Sequence, residues 1–93
     1  MTKRGLNWTL FQSLVFNHIE EYAVPQYGDA PNDQLEGWTP EQCLEAIQRY
    51  INRNKNNTNA RGPREALRDM LKIAHYASVA YEKMEERNDN NRA

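Results

Sequence analysis

The sequence predicts an all-α fold, a compact domain of three main helices near residues 8–23, 39–53 and 63–86. Three observations predict it. Two stretches, Thr9-Leu10-Phe11-Gln12 and Thr39-Pro40-Glu41-Gln42, pair a capping hydroxyl with a Gln three residues on, which marks a helix start. Apolar residues recur at helical spacing after each of them. Leu67, Met70, Ala74, Ala77, Tyr81 and Met84 then follow at alternating steps of three and four, one continuous helical stripe.

The first helix is expected to start at Thr9, with Asn7 as the alternative cap. Leu10, Phe11, Leu14, Val15, Ile19 and Tyr22 form its buried side, edged by His18, Glu20 and Glu21. It is expected to stop at Val24, because Pro25 biases its predecessor away from helical geometry. Residues 25–38 hold Pro25, Gly28, Pro31 and Gly37 and read as a long loop. Tyr27, Leu35 and Trp38 are the side chains that would anchor it in order across the bundle.

The second helix has a full start signal. Thr39 caps, Pro40 suits the first position, Glu41 favours the positive end of the dipole, and Gln42 reaches back to the cap. Cys43, Leu44, Ile47, Tyr50 and Ile51 form its apolar side. The run Asn54-Lys55-Asn56-Asn57-Thr58-Asn59 favours turns and is expected to end it. Gly62-Pro63 then opens the third helix. Leu71, Ile73, Val79 and Ala80 widen its stripe past a single face, so it is expected to be buried by more than one neighbour. Ala74, Ala77 and Ala80 would let a partner helix come close.

Ninety-three residues bound the chain to one domain, 1–93, with an ordered core over about 6–86 and fraying ends at 1–4 and 87–93. A core that small seldom supplies more than about 3–5 kcal/mol. Cys43 is the sole cysteine, which excludes a disulfide within one chain and reads as a buried thiol. A homodimer that pools the third helices is the expected remedy. No apolar run approaches transmembrane length and no secretory pattern opens the chain, so a cytoplasmic protein without membrane contact is expected.

Three residue sets bear on chemistry. Net charge is −1, but Arg49, Arg53, Lys55, Arg61, Arg64, Arg68 and Lys72 cluster between 49 and 72 against Glu65 and Asp69. If the helices pack antiparallel, these cations meet the third helix's N-terminus and describe a phosphate site. The alternative is a solvated face of i, i+4 pairs. Second, His18, Glu20, Glu21, Glu41, Glu45 and Asp69 can hold Mg²⁺ or Mn²⁺ if they converge, with Glu21 and Asp69 as the chief ligands. The alternative is ordinary surface acids. Third, Asp69, His75 and Tyr76 offer an acid–base set, but no nucleophile stands at a matching position.

Tyr27-Gly28-Asp29-Ala30, Ile47-x-Arg49-x-x-x-Arg53, and the run from Arg68 to Ala77 together resemble small phage-associated α-helical domains. These are the nucleotide-modification-associated domains and MazG-like nucleotide pyrophosphohydrolases. The resemblance implies an all-α bundle completed by a second subunit, with a nucleotide held by Asp29, Arg49, Arg53, Asp69 and Lys72. Arg61 and Arg68 are added as phosphate contacts from the basic set, and Mg²⁺ is the metal that the resemblance implies. The chain departs from the hydrolases' Glu-Glu-x-x-Glu run, since Glu20-Glu21 is followed by Val24. Glu65 also stands four residues before Asp69 where that family has three. Binding is therefore implied more directly than hydrolysis. The alternative function is a non-catalytic interaction or assembly protein. Nucleic acid is not expected, because Tyr50 and Tyr76 are the sole aromatics in the basic segment and net charge is negative.

Overall fold

The chain begins its first helix well before Thr9. The computed structural model describes residues 1–57 and 62–92. Helix α1 spans Lys3–His18, and its cap is Thr2, whose Oγ1 accepts the Gly5 N–H at 3.0 Å. The expected cap is used otherwise. The Thr9 hydroxyl turns back into the helix and donates to the Gly5 carbonyl at 3.0 Å. A residue whose hydroxyl is satisfied one turn upstream no longer needs to start a helix.

Nor does the helix stop at Val24. Residues Ile19–Ala23 form a π-helical turn, and α2 continues over Val24–Tyr27 with Pro25 inside it. The Val24 N–H reaches the Ile19 carbonyl, five residues back. A wide turn relieves the clash that a proline ring makes with the carbonyl one turn upstream. Thus Pro25 follows the π turn and does not end the helix. The stop comes at Gly28, whose φ of 98° lies in the region that favours glycine and whose N–H bonds the Val24 carbonyl at 2.9 Å.

Residues Met1–Glu36 form one compact unit and Gly37–Ala93 another. The loop between α2 and the next helix is divided between them. In the first unit Ala23 is the buried apolar residue. Leu10, Leu14 and Tyr22, expected on a buried side, are exposed, as are Leu6, Trp8 and Phe16. This unit is one continuous helical rod with a following turn, so within it no second helix covers these side chains.

The second unit is an antiparallel helical hairpin. Helix α3 spans Pro40–Asn57 and α4 spans Pro63–Arg92. The capping box forms as the sequence predicts: the Gln42 N–H reaches Thr39 Oγ1 at 3.2 Å, and the Thr39 N–H reaches Gln42 Oε1 at 2.8 Å. Both helices outrun their expected ends. Asn54 stays helical because its side chain donates to the Tyr50 carbonyl at 2.8 Å and to Asp69 Oδ2 at 2.9 Å. The 87–92 stretch, expected to fray, is helical. Arg87 grips Glu41 with two hydrogen bonds, at 2.8 and 3.2 Å.

Small residues set the spacing of this hairpin. Cys43 and Ala46 on α3 and Ala80 on α4 are its buried apolar side chains. Cys43 is buried as expected, and that burial raises its thiol pKa against the opposing charge of Lys83. The stripe expected to be buried is not: Leu67, Met70, Tyr81 and Met84 are exposed, because α3 lies on the face of α4 that carries Asp69 and Ala80. The described residues are all-α, without strands, and none of their helices is long and apolar enough to cross a membrane.

The capping box gives the first prediction. Thr39→Ala should cost about 1 kcal/mol, seen as a fall of about 4–8 °C in the thermal midpoint of a domain this size.

Candidate functional site: a buried carboxylate between two helices

Polar groups of α3 and α4 converge on Asp69, which is 1% exposed. Position 69 faces α3 because it lies on the same side of α4 as Tyr76 and Ala80, seven and eleven residues on. A bare carboxylate in that place would be very costly. Here it accepts Arg53 Nε on Oδ2 at 3.0 Å, Arg53 Nη2 on Oδ1, and Asn54 Nδ2 on Oδ2 at 2.9 Å. Lys72 Nζ adds a fourth contact, 4.0 Å from Oδ1. A carboxylate offers about four lone-pair positions; Arg53 and Asn54 donate three hydrogen bonds to this one, and Lys72 stands near it as a charge.

The pKa of Asp69 reflects that contest. Burial alone would raise it. The hydrogen bonds from Arg53 and Asn54, with the charges of Arg53 and Lys72, outweigh burial and hold it below the ordinary value. Glu41, at the other end of the hairpin, is also lowered, chiefly by its hydrogen bond to Arg87. That pair is exposed and contributes little to stability. The buried pair is the one whose loss leaves an uncompensated charge.

An aromatic row lies beside the carboxylate. Trp38 stacks on Tyr76 at 5.8 Å between centroids, and Tyr76 on Tyr50 at 6.0 Å. His75 also stacks on Tyr76, at 5.8 Å. Arg53 Cζ sits 4.9 Å from the Tyr50 centroid and Lys72 Nζ 5.4 Å from it, both within cation–π range. Two cations against one carboxylate leave the cluster with one excess positive charge.

The expected site residues distribute unevenly. Arg53, Asp69 and Lys72 come together. Arg49 is exposed on α3. Arg68 is exposed and bonds Glu65 at 3.3 Å, an i, i+3 pair on one helix face. Arg61 lies outside the described residues. Asp29 belongs to the first unit, where its Oδ1 accepts the Ala30 N–H at 2.8 Å. The Tyr27-Gly28-Asp29 turn is thus the end of α2, with glycine supplying the backbone conformation that ends a helix. Glu21 is exposed in the π turn. Among the described residues no three His, Cys, Asp or Glu side chains group as a metal site.

Asn54 is a member of the cluster that residue patterns did not single out, and they marked Tyr50 only as an apolar-side residue and aromatic of the basic segment and Trp38 only as a loop anchor. Asn54 sits in an Asn-rich run that reads as a turn, which hid it. Its spacing of four from Tyr50, on the helix that carries Arg53, was the available signal.

Removing one partner from this buried pair should be severe. Asp69→Ala should cost about 3–5 kcal/mol, whereas the double variant Arg53→Met with Asp69→Leu should recover most of that loss. Urea unfolding followed by helical circular dichroism checks both. The pH dependence has a definite sign. Because the folded-state pKa of Asp69 is lowered, its contribution is present above the unfolded value, near 3.8, and is lost as pH falls through the lower folded value. The urea midpoint should therefore drop as the solution is acidified below about pH 4–5, and the double variant should drop less.

Comparison with protein-family models, with curated proteins and with solved structures finds no match for this chain.

Proposed function

We propose that this chain is a non-catalytic assembly module, which presents apolar helix surface to another protein. One observation carries the reading. The buried apolar side chains of the hairpin are small (Cys43, Ala46 and Ala80), while Leu67, Met70, Tyr81 and Met84 stand exposed along α4. Large apolar side chains gain most from burial, roughly 1.5–3 kcal/mol each. A hairpin whose fully buried apolar side chains are small, and which leaves a row of large ones exposed along one helix, is built to be covered. The chemistry of Asp69 agrees with this. It accepts three hydrogen bonds from Arg53 and Asn54 across the helix pair, with the Lys72 charge beside it, an arrangement suited to fastening two helices.

The test is thermal unfolding of the purified chain over a wide concentration range, together with binding of a dye that reports exposed apolar surface. An assembly module that pairs with itself shows a midpoint that rises with concentration. One that needs a different partner shows a low, constant midpoint and strong dye binding. A high, constant midpoint without dye binding would sink the reading.

A second reading is nucleotide binding at the same hairpin. It is supported by the ring row of Trp38, Tyr76 and Tyr50 beside Arg53 and Lys72, with its excess positive charge. Stacking and cation contact are the means by which a base and a phosphate are held together. The test is thermal unfolding with nucleoside mono- and triphosphates, with Mg²⁺ and with chelator. A ligand specific to the folded chain, at 100 times its dissociation constant, should add about 2.7 kcal/mol. An equal shift for every polyanion, or none, would remove this reading.

A further inference from the structure

The exposed stripe of α4 has the form of a helix-pairing seam. Leu67, Met70, Ala74, Ala77, Tyr81 and Met84 occupy successive a and d positions of a seven-residue repeat. The stripe covers 17 residue steps of one unbroken helix, about 26 Å at 1.5 Å per residue. The face that carries Asp69, Tyr76 and Ala80 is taken by α3, so this seam belongs to a different neighbour.

We propose that the neighbour is α4 of a second copy of this chain, running antiparallel, so that two hairpins make one four-helix core. The inference rests on the assembly reading and names its partner. Side-chain size argues for a partner of the same sequence. A two-fold axis between positions 75 and 76 sets Leu67 against the partner's Met84 and Met70 against the partner's Tyr81. It sets Ala74 against the partner's Ala77. Large side chains then meet at both ends, and small ones meet at the centre, where the backbones cross most closely.

Charge argues for the antiparallel direction. Exposed Arg64 stands at the e position beside the N-terminal end of the seam, and exposed Glu85 at the e position beside its C-terminal end. An antiparallel partner lays Arg64 of each chain beside the partner's Glu85. A parallel partner sets like charges together, which destabilises. Arg64 also lies in the first turn of α4, where the helix dipole favours an acid, so an incoming Glu85 from the partner offsets a local cost.

The test uses the full chain with charge reversals at the two ends of the seam. In the antiparallel pair Arg64→Glu and Glu85→Arg each turn two attractive contacts repulsive and should weaken dimerisation about tenfold, while the double reversal restores it. Sedimentation equilibrium reads all three. Cross-linking provides an independent readout that does not depend on electrostatics. Cys43 is 0% exposed, so a cysteine placed at Leu67 or Met84 is the reactive thiol. Mixing the Leu67→Cys and Met84→Cys chains should give a 67–84 disulfide, and neither chain should cross-link readily with itself.

Rescue by the double reversal together with the 67–84 bond supports the proposal. A 67–67 bond, or reversals without effect on a dimer, overturns the antiparallel pairing and leaves the assembly reading standing. A chain that stays monomeric at every concentration, yet binds dye, overturns the second copy as partner and again spares that reading. A stable monomer that binds no dye overturns both.

Discussion

Asp69 is an ionised group that water does not reach, and the hairpin depends on how it is satisfied. Arg53 and Asn54 come from α3, Asp69 and Lys72 from α4, so the carboxylate can be satisfied only when the two helices lie in one register. A slip of one turn would leave it buried without partners. Apolar contact through Cys43, Ala46 and Ala80 is smooth and tolerant of sliding, since small side chains interdigitate little. The ionic contact therefore supplies the register that the apolar contact lacks. Glu41 and Arg87 repeat the arrangement at the open end of the hairpin, exposed, where it directs more than it stabilises.

This division of labour explains the unusual distribution of side chains. Small residues at the α3–α4 contact let the backbones approach, and the polar cluster fills the end that holds the C-terminal part of α3 and the N-terminal part of α4. The rings of Trp38, Tyr76 and Tyr50 are half-buried beside that cluster, while Leu67, Met70, Tyr81 and Met84 of α4 are left exposed. A hairpin whose fully buried side chains are alanine, cysteine and the Asp69 carboxylate, with its larger apolar residues only half-buried or exposed, draws limited hydrophobic stabilisation from within. The assembly reading follows from that physical shortfall, independently of any chemistry at the cluster.

The first unit shows how a local break can preserve a helix. Pro25 would ordinarily end α1 or kink it. The π turn over Ile19–Ala23 takes up the misfit, so that helical geometry runs on to Tyr27. The turn closes its hydrogen bond over one residue more than an α-helix does, and His18 stacks on Tyr22 at 5.4 Å. Gly28 then ends the segment for a different reason, because a positive φ cannot be continued as a right-handed helix.

Local signals determined much about this protein, and they did so where the interaction is short in sequence. The capping box at Thr39, the opening of α4 at Pro63, the all-α class and the buried Cys43 each depend on residues within a turn or on the period of one helix. Local signals misled where a distant residue intervened. Asn54 reads as a turn former until Asp69 takes its amide, and residues 87–92 read as a fraying tail until Arg87 meets Glu41, 46 positions away in sequence. The basic ladder was legible as a set of cations, but its fate was not. Arg53 and Lys72 turn inward to one carboxylate while Arg49 and Arg68 stay outside, because which face of each helix is covered depends on the neighbour. Helical periodicity marks an apolar stripe. Packing alone decides that α3 covers the side bearing Asp69 and leaves the stripe from Leu67 to Met84 exposed.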